Sequence, residues 1–179
     1  MTDSIAFDLA DPLPRGRTVL EASAGTGKTY SITALVARYI AEDDVPVDQI
    51  LVVTFTRAAA NELRERTREV LTIAADALDS QIVPEGHQWL APMLGGDDLF
   101  AADTRRFRRQ RLLTAINRFD DLTITTIHGF CQATLTQLGL RSGTDLAAVL
   151  VDNTTELVAE VCRDALLGEL ADDPLRLSA

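Results

Sequence analysis

Residues 22 to 29 read Ala-Ser-Ala-Gly-Thr-Gly-Lys-Thr, a run of small residues with the chemistry to hold phosphate. Small residues let a backbone wrap an anion so that successive N–H groups point inward. A helix that starts directly after such a turn adds the positive end of its dipole. Lys28 offers an ammonium to the β- and γ-oxygens of a nucleoside triphosphate, and the Thr29 hydroxyl is a ligand for Mg²⁺. The pattern G-x-x-x-x-G-K-[ST] is met by Gly27, Lys28 and Thr29 and departs only at its first position, where Ala22 stands. The chain has 17 basic residues, and Lys28 is its single lysine. That usage points to a position that needs a compact ammonium rather than a forked guanidinium. A bias toward arginine also accounts for it.

Two further segments carry candidate groups. In Leu51–Arg66, an apolar run ends in Thr54, Phe55 and Thr56 before an Ala- and Arg-rich stretch. Two hydroxyls beside a helix start can bind a polynucleotide phosphate, and Phe55 can stack on a base. The plainer alternative makes Thr54 or Thr56 a helix cap and puts Phe55 in the core. In Thr123–Gln132, hydroxyls ending in Thr126 are followed by His128, a glycine and Phe130. A lone histidine there is more often a hydrogen-bonded core or cap residue than a chemical group. Arg105–Arg111 holds five arginines in seven positions. They can meet phosphates, or form a solvated helix face that balances acids or docks another subunit.

These residues need elements to position them. Arg17–Glu21 reads as a short strand and Ser23–Gly27 as a tight turn. Lys28 to about Ala41 has apolar residues at Ile32, Leu35, Val36, Tyr39 and Ile40, the spacing of an amphipathic helix. Ile50–Phe55 is a continuous β-branched run, as expected of a buried parallel strand. Helices follow over Arg57 to about Leu78 and over Ala101–Phe119, separated by a Pro- and Gly-containing connection, Ser80–Asp98. A short strand at Leu122–Thr126 leads into a helix at Ile127–Leu138, and Gly139–Thr144 is a break. This order predicts an α/β fold with a parallel sheet and flanking helices.

The bulk properties restrict the setting. The formal net charge is −10, with 46% hydrophobic and 25% charged residues, which disfavours nucleic-acid or membrane binding by the surface as a whole. Two cysteines without metal-type spacing, Cys131 and Cys162, fit a reduced interior. No basic, apolar leader and no span-length apolar run occur. The expectation is a soluble, cytoplasmic protein with no membrane partner.

Together, "LEASAGTGKTYSI", "TFTRAAANELRER" and "TIHGFCQ" resemble the Walker A motif, motif Ia and the motif after it in superfamily 1 (UvrD/Rep-type) DNA helicases. The wording is most similar to the RecB branch. An alanine commonly fills the first Walker A position in that family. The resemblance covers about residues 5–140. It implies a RecA-like P-loop domain 1A over 1–140, incomplete, and the start of an inserted helical subdomain 1B over 141–179. It implies ATP and Mg²⁺ at Ala22, Ser23, Ala24, Gly25, Thr26, Gly27, Lys28 and Thr29. Lys28 and Thr29 would be catalytic, with Thr29 the metal ligand. It also implies single-stranded DNA or DNA ends along Thr54, Phe55, Thr56, Thr126, His128 and Phe130, and other subunits of a RecBCD-like complex as partners. The implied parent activity is ATP-dependent DNA unwinding in double-strand-break repair.

Two departures qualify this. The adenine-reading glutamine that many such helicases carry upstream of Walker A is missing, since no glutamine precedes Gln49. No DE-x-Q-D segment supplies the acidic pair that hydrolysis needs. The nearest decoy, Ala147–Asp152, is followed by Asn153. Asp145–Asp173 reads instead as the opening of the helical subdomain, with Thr154 or Thr155 near a helix start and an acidic face. The expectation is a truncated motor piece without its second domain, inactive by itself. A non-catalytic nucleotide- or DNA-binding module and a stand-alone P-loop NTPase or kinase are the alternatives.

Overall fold

The computed structural model describes residues 6–21, 27–95, 101–138 and 154–172, without the side chains of 166 and 168–172. The elements are α1 (Lys28–Asp43), β1 (Leu51–Thr54), α2 (Arg57–Ser80), α3 (Ala91–Leu94), α4 (Ala101–Asn117), β2 (Thr123–Thr126), α5 (Ile127–Leu138) and α6 (Thr155–Asp172). The chain divides into two compact units, Met1–Ala133 and Thr134–Ala179. The expected boundary at 140/141 and the decoy Ala147–Asp152 lie outside the described residues.

In the first unit, α2 sets the packing. Leu63, Val70, Leu71, Ala74, Ala75 and Leu78 recur at helical spacing and are buried, which gives one apolar face. That face meets α4 and α1. On α1 the buried positions include Ala34, Ala37 and Ala41, small residues that let two helix backbones approach closely. The connection after α2, read as a loop, contributes Trp89, Leu90 and Met93 to the core. Phe119, 1% exposed, closes the core below the strands. The Arg68 guanidinium lies 4.4 Å from its ring centroid, a cation–π contact.

The sheet has two parallel strands among the described residues, with Leu51 opposite Thr123 and Thr54 opposite Thr126. The expected strand at Arg17–Glu21 does not form. A strand exists through its ladder of hydrogen bonds, and no described residue pairs with this stretch, leaving Val19 75% exposed. The expected burial of β1 is also corrected. Val52 is half-buried and its partner Ile124 is buried, whereas Leu51 and Val53 on the other face are exposed. Only one face of the sheet is covered by described residues.

Of the readings of the basic run, the structure favours the helix face that balances acids. Arg105 donates to the Leu94 carbonyl (3.0 Å), Arg108 to that of Met93 (2.6 Å) and Arg111 to that of Ala41 (2.9 Å). Arg109 and Arg111 also pair with Asp79 and Asp44. Carbonyls at helix C-termini lack intrahelical donors, and these guanidiniums supply them for α1 and α3. Four of the five arginines thus tie α4 to α1, α2 and α3, while Arg106 lies over the Phe107 ring of its own helix.

In the second unit, α6 carries Glu156, Glu160 and Asp164 at four-residue spacing, all exposed. The Val158 amide donates to the Thr154 carbonyl (2.9 Å), so the helix starts at the expected threonines.

The lead-in before α1 has no regular structure, yet it is fastened. Arg38, 3% exposed, donates to the Leu9 and Asp11 carbonyls (2.6 Å each) and pairs with Glu42 (2.5 Å). Tyr39 donates to the Pro14 carbonyl (2.5 Å). An apolar stripe containing an arginine requires such partners, because a buried charge without them is costly. Hydrogen bonds to charged groups contribute roughly 1.5–3 kcal/mol each. Arg38→Ala is therefore expected to lower stability by about 2–4 kcal/mol, read as a lower urea midpoint with an unchanged slope. A midpoint equal to that of the unsubstituted chain would refute the fastening.

Candidate functional site

Of the predicted phosphate loop, Gly27, Lys28 and Thr29 are described, and Ala22, Ser23, Ala24, Gly25 and Thr26 lie outside the described residues. Gly27 caps α1 with φ 85° and ψ 22°, left-handed values that cost another residue about 1–2 kcal/mol. A Cβ at Gly27 would meet only the Tyr30 Cβ, at 4.0 Å. Glycine is thus required by backbone conformation, not by space. Lys28 follows, exposed, and Thr29 is half-buried in the first turn.

The helix starts differ in their caps. The Thr56 hydroxyl caps α2 by accepting from the Ala59 amide (3.1 Å), and the Thr126 hydroxyl accepts from the Gly129 amide at the start of α5 (3.0 Å). The cap residue of α1 makes no side-chain hydrogen bond. That residue is Gly27, which has no side chain to offer, and the N-terminal end of a helix favours anions. Were Mg²⁺ bound here, the Thr29 hydroxyl, half-buried in the first turn of α1, is the side chain that would ligate it. No group of three His, Cys, Asp or Glu side chains converges among the described residues.

The second group of predicted residues is brought together. Parallel pairing sets Thr54 beside Thr126, so α2 and α5 begin at the same end of the sheet. Thr56 is a cap, as the plainer alternative held, but Phe55 is 86% exposed and not in the core. His128 is exposed rather than a core or cap residue, because Thr126 takes the capping role. Phe130 is 39% exposed. Capping does not exhaust the threonines. A hydroxyl that accepts from an amide keeps its own O–H to donate, and two such donors stand at adjacent helix starts.

Sequence reasoning missed the groups beside the first turn of α1. Tyr30 donates its hydroxyl to the Gly86 carbonyl, and its ring lies 5.9 Å from that of His87. Burial raises the Tyr30 phenol above its ordinary value, so it remains a donor at neutral pH. The signal was available: an aromatic directly after Thr29, and the chain's single tryptophan in a stretch read as connection.

Residues 8–174 match the family described as UvrD/REP helicase N-terminal domain. The chain is 42% identical over 176 residues to the RecBCD enzyme subunit RecB of Mycolicibacterium smegmatis, covering 94% of this chain and 15% of that protein. It is 41% identical over 173 residues to the RecB subunit of Mycobacterium tuberculosis strain H37Rv, again 94% and 15%. It is 34% identical over 170 residues to that of Escherichia coli K12, covering 86% and 13%. The chain belongs to the UvrD/REP helicase family and corresponds to the N-terminal part of a RecB-like member. That family carries the P-loop NTPase fold. No helix among the described residues is long and apolar enough to cross a membrane.

Gly129 ties the second group together. A Cβ there would stand 2.7 Å from Thr125 Oγ1 and 3.2 Å from Thr126 Oγ1. Gly129→Ala should push α5 off β2 and break the Thr126 cap. Cap loss costs about 0.5–2 kcal/mol and overpacking about 1–3 kcal/mol. The expected outcome is a clear fall in melting temperature, with Thr126→Ala giving a smaller one. A Gly129→Ala protein as stable as the parent would contradict the packing.

Proposed function

We propose that this member of the UvrD/REP helicase family is the ATP-binding portion of a RecB-like, ATP-dependent DNA helicase that unwinds DNA in recombinational double-strand-break repair. The observation that carries the reading is the left-handed Gly27 heading α1, with Lys28 and Thr29 directly after it. On this reading Ala22–Thr26 complete the phosphate loop, Lys28 holds the β/γ-oxygens and Thr29 holds Mg²⁺. When bound, Mg²⁺ neutralises charge developing between those oxygens. The RecB relatives are named as subunits of a RecBCD enzyme, which supports other subunits of such a complex, and DNA ends, as partners. The α6 helix then belongs to the start of the inserted helical subdomain.

Thr54, Phe55, Thr56, Thr126, His128 and Phe130 form the single-stranded DNA track on this reading. Support comes from their common position at one sheet end and from the exposure of Phe55. The threonine O–H groups and helix N-termini hold phosphate, which carries no sequence information. Stacking on Phe55 tolerates every base.

A second reading, a binding module without turnover, is favoured for the isolated chain by the lack of a DE-x-Q-D segment in its sequence. Isothermal titration calorimetry tests both. The parent chain should bind Mg·ATP, and Lys28→Ala should lose at least tenfold in affinity, since a charge-assisted contact contributes roughly 1.5–3 kcal/mol. Phosphate release by the isolated chain should stay at background. Equal binding by Lys28→Ala would overturn the phosphate-loop reading, and sustained phosphate release would overturn the second.

A further inference from the structure

Resting on the single-stranded DNA reading above, we propose that Arg64 is a positioning residue for that track: by holding β2 against α2, it fixes the spacing between the two helix starts that a DNA strand bridges. Arg64 lies on α2 about two turns after Thr56, at 3.6 residues per turn, and is half-buried. Its guanidinium donates to the Ile124 carbonyl in β2 (3.2 Å). Among the described residues this is the single side-chain hydrogen bond between α2 and β2. Ile124 stands two positions before Thr126, whose hydroxyl caps α5. One bond therefore connects the helix that begins after Thr56 with the strand that delivers Thr126, His128 and Phe130.

Neighbouring arginines of α2 are used differently. Arg66 and Arg68 are exposed and meet acids, Glu62 at 2.9 Å and Asp120 at 3.7 Å. Arg64 turns inward and meets a backbone carbonyl. Partial burial of a guanidinium carries a desolvation cost, and holding a long side chain in one rotamer carries an entropy cost. The strand needs what those costs secure. Its ladder with β1 is four residues long, parallel, and exposed on the face of Leu51 and Val53. The apolar pattern resists a slip of one residue, which turns Ile124 outward. It does not resist a slide of two, which keeps every side chain on its own face. Such a slide carries the Ile124 carbonyl about 6.6 Å along the strand, at about 3.3 Å per residue, and out of reach of Arg64.

A bound strand is sensitive to that slide. Phe55 and Thr56 stand at the α2 side of the track, and Thr126, His128 and Phe130 at the β2 side. If the two sides move relative to one another, their contacts fall out of step with successive phosphates and bases. Arg64 needs no contact with DNA to prevent this. The phosphate residues Lys28 and Thr29 head a different helix, α1, so they are indifferent to the bond. Arg68 provides an internal comparison. One turn further along α2, it lies over the Phe119 ring at 4.4 Å, and so holds the approach to β2 rather than β2 itself.

The test measures oligo-dT affinity by anisotropy for the full chain, Arg64→Met, Arg64→Lys and Arg68→Met, each at a temperature where its melting curve shows it folded. Arg64→Met should weaken oligo-dT binding by about fivefold or more, within the range of couplings between residues that share a network. The slope of log affinity against log salt should stay at the parent's value, because no phosphate contact is lost. Mg·ATP affinity by calorimetry should stay unchanged. Arg64→Lys, which keeps a donor, should restore most of the lost affinity, and Arg68→Met should lose less than Arg64→Met. Arg64→Gln, polar but too short to reach, carries the same expectation as Arg64→Met and replaces it if that variant does not fold. Parent-like affinity in Arg64→Met, an equal loss of oligo-dT and Mg·ATP binding, or a loss as large in Arg64→Lys or Arg68→Met would each overturn the positioning role. Failure of both Arg64→Met and Arg64→Gln to fold would also overturn it and make Arg64 a residue of the scaffold. A slope smaller by about 0.7, the share of one single-strand phosphate, would overturn it in favour of direct contact. Failure of the parent chain to bind oligo-dT would instead overturn the track reading on which the proposal rests.

Discussion

Everything positioned at the sheet depends on one pairing: Leu51–Thr54 against Thr123–Thr126, parallel and in register. The strands are separated in sequence by α2, α3 and α4, so closing them carries the entropy of a long connection. The core of that connection offsets it. Phe119, Leu122 and Ile124, all 4% exposed or less, anchor the approach to β2, and Arg64 donates to the Ile124 carbonyl from α2 (3.2 Å). A slip of one residue would turn Ile124 to the open face. It would also part Thr54 from Thr126, and with them the two helix starts.

Polar fastening does elsewhere what strands do at the sheet. The lead-in has no regular structure, and the connection after α2 and the C-terminal carbonyls of α1 and α3 lack ladder or intrahelical partners. Each is held by a side chain donating to a backbone carbonyl: Arg38 and Tyr39, Tyr30, and Arg105, Arg108 and Arg111. This explains an arginine-rich chain with a net charge of −10. Its arginines serve as forked donors to carbonyls as well as partners to acids.

Much of this was legible before any coordinates. The helix at Lys28–Asp43 follows from apolar spacing, that at Arg57–Ser80 from an Ala- and Arg-rich composition, and the strand at Leu51–Thr54 from a β-branched run. Thr56 as a cap follows from its place before an Ala-rich helix. What stayed illegible has a common cause. Arg17–Glu21 has a strand's composition, but pairing is a property of a partner, and none lies among the described residues. Leu51 and Val53 have the apolar character of a strand buried on both faces, yet nothing described covers them. The arginine run has the composition of a phosphate patch, and only the fold reveals that carbonyls lie within reach. Trp89 and Gln88 sit in a stretch whose prolines and glycines conceal any period.

On the proposed reading, this sheet end presents an aromatic and two capped helix starts to a nucleic-acid strand. The most direct test is the anisotropy of a fluorescent oligo-dT strand titrated with the chain and with Phe55→Ala. Phe55 is 86% exposed, so its removal should leave the melting temperature unchanged. Stacking contributes roughly 1–3 kcal/mol per base, so Phe55→Ala should weaken binding by about fivefold or more. An oligo-dT affinity that is the same in both proteins would contradict the account.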